Sequence, residues 1–317
     1  MGKVAFLFPG QASQYSGMGK ELAENYPAAK AVFDEADQAL GFSVSKMCFA
    51  GTEDELKLTA NTQPCILATS VAVYRVLAEK GVAPDYVAGH SLGEYSALVA
   101  AGSLRFSDAV KLVRKRGQYM QDAVPAGQGA MAAIMGLSPA DVMDVCKHAA
   151  QGEVCSPANL NSPEQTVSSG HAGAVKRAVE IASQKGAKRA VMLAVSAPFH
   201  SALMTPAQEK LEKDLKATVF TELQVPLVTN VDADTIRSGD EAHSALVRQV
   251  TMPVRWEESM RLLLDEGVNT FVEVGPQRVL TGLMRQIERS VATLNVEDEK
   301  SLQTAIEKIA AAKSDAA

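Results

Sequence analysis

The chain has 317 residues, 47% of them hydrophobic, and a formal net charge of -6. That length allows a sizeable core in one large domain or a large domain plus a small one, and the acidic balance argues against a general nucleic-acid binder. Cys48, Cys65, Cys146 and Cys155 lack any C-x-x-C spacing, no stretch is long and apolar enough to span a bilayer, and the apolar run 4–8 stops at Pro9-Gly10, too soon for a signal peptide. The expectation is a cytoplasmic protein without disulfides, zinc or a membrane span.

The run 4–8 is apolar throughout, as in a strand buried on both faces. A helical stretch follows over 18–40 and another over 63–80. Pro84 then opens a short strand at 85–88, and 94–101 reads as a helix stopped by Gly102. A helix is predicted over 107–123. From 127 to 196 the rhythm changes. Strand 130–135 is followed by a helix to Ala150 with Ser138-Pro139 at its start. Strands 154–160 and 165–169 flank Asn161-Ser162-Pro163, then a helix spans 172–185 and a strand 190–195. This β-α-β-β-α-β order is that of a ferredoxin-like unit inserted into a larger domain with a mostly parallel sheet. Beyond it, helices are predicted over 201–216, 241–249 and 256–266, and strands over 226–230 and 270–274. Leu302, Ile306 and Ile309 stripe a last helix, and 310–317 is expected to fray. The division is thus 1–126 with 197–317, and 127–196.

Gly89-His90-Ser91-Leu92-Gly93 lies between a predicted strand and a predicted helix. Gly-x-Ser-x-Gly in that setting has the form of a nucleophile elbow, whose crowded turn excludes side chains beside the serine; the alternative is a turn without chemistry. A serine needs a base. Of the five histidines, His90 adjoins Ser91 and suits loop support or substrate contact. His148, His171 and His243 read as surface or local polar residues. His200 follows an apolar strand and precedes a helix, a loop position typical of catalytic residues, although a buried structural histidine is the competing reading. No single Asp or Glu presents itself as its partner. A backbone carbonyl would hold the same tautomer, so a Ser91–His200 dyad is expected rather than a triad.

On a helical projection of 107–123, Arg116 falls in the middle of the apolar face formed by Ala109, Leu112, Val113, Met120 and Ala123. A buried guanidinium requires an anionic partner. Either it pairs with an internal carboxylate, or it grips the carboxylate of a substrate through two hydrogen bonds. Gly17-Met18-Gly19-Lys20 fails as a phosphate loop, because Gln14 and Glu21 stand where Gly and Ser or Thr are needed. No clustered metal-ligand spacing occurs.

These motifs together resemble the malonyl-CoA:acyl carrier protein transacylase family, over nearly the whole chain. They include Phe8-Pro9-Gly10-Gln11, Gln63-Pro64, Gly89 to Tyr95, Arg116-Gly117, Asn159 to Gln165, Pro198-Phe199-His200-Ser201, Asn230-Val231, Pro253 to Trp256 and Glu273 to Pro276. The resemblance implies an α/β-hydrolase-like large domain carrying a ferredoxin-like small one. It implies Ser91 as nucleophile, His200 as base, and Arg116 as clamp for the malonyl carboxylate. The backbone amides of Gln11 and Leu92 would form the oxyanion hole, and the Gln249 carbonyl would orient His200. Phe199 matches the malonyl-selective pattern and would crowd an α-methyl group. The implied substrates are malonyl-CoA and acyl carrier protein, with no metal or resident cofactor. Gln277 and the stretch Val250-Thr251-Met252 depart from the family pattern away from this chemistry.

A serine hydrolase, a non-catalytic carrier-binding subunit and a transferase serving polyketide synthesis are the rival readings. The basic stretch Lys176, Arg177, Lys185, Lys188 and Arg189 suits an acidic carrier protein, or is simply a solvated face. Whether Gln63 and Asn161 touch substrate or only shape the cleft is left open.

Overall fold

The apolar run near the N-terminus forms the strand Lys3–Phe8 (β1) in a computed structural model that describes residues 2–195 and 197–314. The helix expected over 18–40 is two helices, Lys20–Asn25 (α1) and Pro27–Leu40 (α2). Tyr26 is extended between them, and Pro27 sits in the first turn, where a missing N–H costs nothing. Val44–Ala50 (α3) and Glu53–Lys57 (α4) are too short for helical periodicity to be read, although Thr52 and Glu55 form a capping box. Thr59–Glu79 (α5) starts before the predicted Gln63 and takes Pro64 into its interior. Pro64 cannot donate to the Ala60 carbonyl; Arg114 Nη1 donates to that oxygen instead, at 2.6 Å.

Tyr86–Gly89 (β2), Gly93–Ala100 (α6) and Phe106–Asp122 (α7) follow. Then come Gly129–Met135 (β3), Pro139–Ala150 (α8), Cys155–Ser162 (β4), Gln165–His171 (β5), Ala172–Gln184 (α9) and Arg189–Met192 (β6). A 3-10 turn at Ala202–Met204 precedes Thr205–Lys216 (α10). The rest is Leu227–Val228 (β7), Thr235–Ile236 (β8), Gly239–Gln249 (α11), Trp256–Asp265 (α12), Val268–Val274 (β9), Val279–Ile287 (α13), Ala292–Val296 (β10) and Glu299–Ser314 (α14). No element is predicted where β8, α13 and β10 lie. Helix α14 runs through 310–314, where fraying is expected. Residues 315–317, and Ser196 at the expected domain boundary, lie outside the described residues.

The fold is mixed α/β with two sheets. One has the order β10-β9-β1-β2-β7-β8 and is parallel except for β8. The other, β4-β5-β3-β6, is antiparallel. Side chains alternate across β1, so Val4, Phe6 and Phe8 join one core while Ala5 and Leu7 join a second around Trp256 and Phe271. This two-sided burial is why the strand reads as a continuous apolar run. The antiparallel sheet packs α8 and α9 against Ile134 in a smaller cluster. It is tied to the other region where Leu160 N donates to Val254 O and Val254 N to Ala158 O, each at 2.8 Å. The cleft between the sheets holds the residues described next.

Candidate active site

Strand β2 ends at Gly89 and helix α6 begins at Gly93, so three residues make the turn. Ser91 has φ 52, the left-handed region that L residues occupy only under constraint. A Cβ on Gly89 would lie 2.0 Å from the Gly93 carbonyl, and one on Gly93 would lie 2.0 Å from the Phe8 oxygen. Both flanking glycines are therefore required by the approach of backbone to backbone. Asn230 holds the turn from outside: its Oδ1 accepts from Ser91 N–H at 2.6 Å, and its Nδ2 donates to Gly89 O at 2.6 Å.

His200 is buried and also left-handed, with φ 56. Its Nε2 lies 2.8 Å from Ser91 Oγ, and its Nδ1 lies 2.7 Å from the Gln249 carbonyl oxygen. A carbonyl can only accept, so Nδ1 carries the proton and Nε2 offers a lone pair to the serine hydroxyl. Burial, then the Arg116 charge, pushes the imidazole down to about 3, which keeps it neutral at ordinary pH.

Arg116 is 1% exposed on the buried face of α7. The next residue, Gly117, packs so closely on α5 that a Cβ there would sit 2.6 Å from Thr59 O, which brings Arg116 against Gln63. Nη1 donates to Gln63 Oε1 at 2.9 Å. Nη2 donates to Ser91 Oγ at 3.0 Å and Gln249 Oε1 at 2.9 Å. All three acceptors are neutral, and Nε has no partner among the described residues. The Tyr95 ring lies 5.6 Å from the guanidinium carbon. The guanidinium is thus buried with hydrogen-bond acceptors that are all uncharged.

Glu94 stands beneath this group, 1% exposed at the start of α6. Its Oε2 accepts from Asn230 N–H and from Gln249 Nε2, each at 3.0 Å. Burial pushes the carboxyl up to about 7, against those two hydrogen bonds and the Arg116 charge, which pull it down.

Ser91, His200 and Arg116 open into a cavity of about 220 Å³. Gln11, Leu92, Met131, Val167, Phe199 and Leu280 contribute to its walls. Among the described residues the amides of Gln11 and Leu92 donate to no protein acceptor, whereas that of Ser91 is taken by Asn230. Phe199 is buried beside His200. The His90 ring lies 5.4 Å from Trp256, and its Nε2 is 2.9 Å from Asn161 Oδ1, which ties the elbow to β4. His90 and Asn161 both line the cavity, and burial pushes the His90 imidazole down. Among the described residues no cluster of His, Cys, Asp or Glu could hold a metal ion.

Every residue singled out from the sequence for this chemistry thus lies at one cavity or in contact with one that does. Glu94 and Asn230 carry no role in the sequence reading. An acid in the first turn of a helix reads as a partner for the helix dipole, and nothing local signals that Glu94 points inward. His148 is exposed and His171 accepts from Val154 N–H at 2.9 Å, but His243 is half-buried against Phe220 rather than on a solvated face. In the basic stretch, Arg177 pairs with Glu153 at 2.7 Å, Lys185 with Asp144, and Lys188 with Glu164 at 2.8 Å, so much of its charge is balanced.

The family profile described as "Acyl transferase domain" matches residues 5–311. The chain is 51% identical over 308 residues to the malonyl CoA-acyl carrier protein transacylase of Bacillus subtilis (strain 168), covering 97% of each. It is 46% identical to the Escherichia coli (strain K12) protein of the same name, covering 97% of this chain and all of that one. Among solved structures, the malonyl CoA-acyl carrier protein transacylase of Clostridium perfringens superposes with a TM-score of 0.96 at 39% identity, covering 99% of each chain. A malonyl-transacylase in complex with a type II PKS acyl-carrier protein gives 0.94 at 46% identity, covering 96% of this chain and 99% of that one. No helix among the described residues is long and apolar enough to cross a membrane. With the profile spanning almost its whole length, the chain belongs to the acyl transferase domain family and, within it, to the malonyl CoA-acyl carrier protein transacylases.

Proposed function

We propose that the chain is an [acyl-carrier-protein] S-malonyltransferase of fatty acid biosynthesis, working by a ping-pong mechanism through a malonyl ester on Ser91. The observation that carries this reading is Ser91 Oγ held between the His200 lone pair and the Arg116 guanidinium, at 2.8 and 3.0 Å. In the first half-reaction Ser91 Oγ attacks the thioester carbonyl of malonyl-CoA while its proton passes to His200 Nε2. The free amides of Gln11 and Leu92 receive the oxyanion, each worth about 3 kcal/mol. The C–S bond breaks, and CoA leaves with the proton from His200. The phosphopantetheine thiol of acyl carrier protein then attacks the ester in the reverse sense and regenerates the serine.

Arg116 binds the malonyl carboxylate, and a neutral acyl group would leave that cation buried without its anion. Gln249 O steadies the imidazolium formed in each step. Phe199 disfavours an α-methyl substituent, and His90 shapes the acyl pocket with Asn161. These steps draw on neither a metal nor a resident cofactor. The parallel region, 1–126 with 197–317, reads as an α/β-hydrolase-like catalytic domain, supported by the strand-elbow-helix at β2 and α6. Segment 127–196 reads as a ferredoxin-like small domain, supported by its strand order β4-β5-β3-β6. The proposed setting is the cytoplasm.

The test is to incubate the protein with malonyl-CoA or acetyl-CoA and weigh it intact. A persistent malonyl adduct that maps to Ser91 and transfers to holo-acyl carrier protein supports the transferase. Rapid release of free malonate without an adduct would point to a hydrolase instead.

A further inference from the structure

The Gln249 side chain is fixed at both ends of its amide. Oε1 faces Arg116, while Nε2 donates to Glu94 Oε2 at 3.0 Å and to Ser91 O at 2.9 Å. An amide turned by 180° would present NH2 to the guanidinium, donor against donor, and its oxygen to a carboxylate and a carbonyl. The Glu94 oxygen and the Ser91 carbonyl both accept, and together they draw the NH2 end of the amide toward themselves. Glu94 thus acts with Ser91 O to turn the oxygen of Gln249 toward Arg116. The same carboxylate oxygen accepts the Asn230 amide, and the Asn230 side chain grips both Ser91 N and Gly89 O. The backbone of Gln249 in turn supplies the carbonyl that holds His200.

We propose that Glu94 is a positioning residue for the reaction: through Gln249 and Asn230 it sets the pose of Arg116 and of the Ser91 elbow without touching substrate. This rests on the transferase reading above. Glu94 reaches Arg116 through the polarised amide of Gln249, so the guanidinium is steadied without a carboxylate in direct contact. Among the described residues Arg116 thereby carries no carboxylate of the protein on its N–H groups, whose acceptors are Gln63, Ser91 and Gln249. A direct ion pair at that position would compete with the substrate carboxylate for the same N–H groups. The intervening glutamine separates the two tasks. Glu94 orients the clamp, and the clamp binds the ligand.

The experiment compares kcat/KM for malonyl-CoA and acetyl-CoA in the parent, Glu94→Met, Glu94→Gln and Gln249→Met. Glu94→Met keeps the volume and removes the acceptor, and should lower the malonyl-to-acetyl ratio about tenfold, the scale of one lost charged hydrogen bond. Glu94→Gln can still present an oxygen to both donors and should recover most of the ratio. Gln249→Met removes the intermediary and should lower the ratio as Glu94→Met does. In the double variant the two losses should not add. A ratio unchanged in Glu94→Met, with both activities falling together, would overturn the proposal in favour of a purely structural carboxylate. If Glu94→Met does not fold, an unchanged ratio in Gln249→Met overturns it equally. A parent enzyme with no malonyl preference would instead refute the transferase reading itself.

Discussion

Strands β1, β2 and β9 of the parallel sheet are buried along nearly their whole length, while β6 of the antiparallel sheet is exposed at both ends and β4 is only half-buried at its start. The two regions meet at one cavity but contribute differently to it. Ser91, His200, Arg116, Glu94 and Gln249 all belong to the parallel region, where packing on both faces of the sheet fixes the ends of its strands and helices. Met131, Asn161 and Val167 come from the antiparallel sheet and form a wall. The hydrogen-bonded groups at Ser91 all come from the parallel region, whereas the antiparallel sheet supplies a wall of the cavity.

Variants on either side of the cavity can break this contrast. Arg116→Ala should have the largest effect, lowering the malonyl-to-acetyl ratio of kcat/KM by about 10²-fold as the charged hydrogen bonds are lost. Selectivity that survives the change would move the clamp elsewhere. The pH profile tests the environment of His200. Its pKa is depressed, so the neutral base persists as pH falls from 7 and is lost only as pH passes through about 3. An ordinary imidazole would be about 30-fold depleted of its neutral form at pH 5. Once the Glu94 carboxyl, itself raised to about 7, is taken out of the profile, acylation rates measured in single turnover should therefore change little between pH 7 and 5. Running the same profile in Glu94→Gln removes the titration of Glu94 from it, and an acid limb near 6.5 in that variant would contradict the desolvated base.

On the opposite wall, Val167→Ala should leave kcat within about twofold and raise KM for malonyl-CoA less than about fivefold, as expected of uniform binding surface. A large fall in kcat would bring β5 into the catalytic frame and dissolve the contrast. The smallest effect belongs to the outer surface of the antiparallel region. Reversing Lys188 and Arg189 to Glu should raise KM for acyl carrier protein about twofold and leave that for malonyl-CoA unchanged, since Lys188 is already engaged by Glu164. Equal effects on both substrates would remove this face from carrier binding.

Much of the site is legible in the sequence because its signals are local. Gly89 and Gly93 flank a serine between a strand and a helix, and Arg116 interrupts an apolar helical face. His200 was recognisable by its place after an apolar run, and Gln249 only through resemblance to a family. Short elements such as α3, α4 and β8 escape a periodicity reading because they hold too few residues to establish a period. The single helix read over 18–40 passes through Pro27, where the chain breaks, whereas Pro64 stays inside α5, with Arg114, distant in sequence, taking the freed Ala60 carbonyl. One proline ends a helix and the other does not, and only a tertiary contact distinguishes them.

By itself, then, the sequence determined the alternation of strands and helices, the elbow and the inward arginine. Each follows from the sterics of glycine, the period of apolar residues or the cost of an unpaired charge. Only the tertiary structure decided that the partners of Arg116 are neutral, that the imidazole rests on a carbonyl, and that Glu94 turns inward to hold Gln249. Those outcomes depend on groups 25 to 158 residues apart meeting in a site from which water is largely excluded. No local pattern encodes which of many buried donors and acceptors will face one another there.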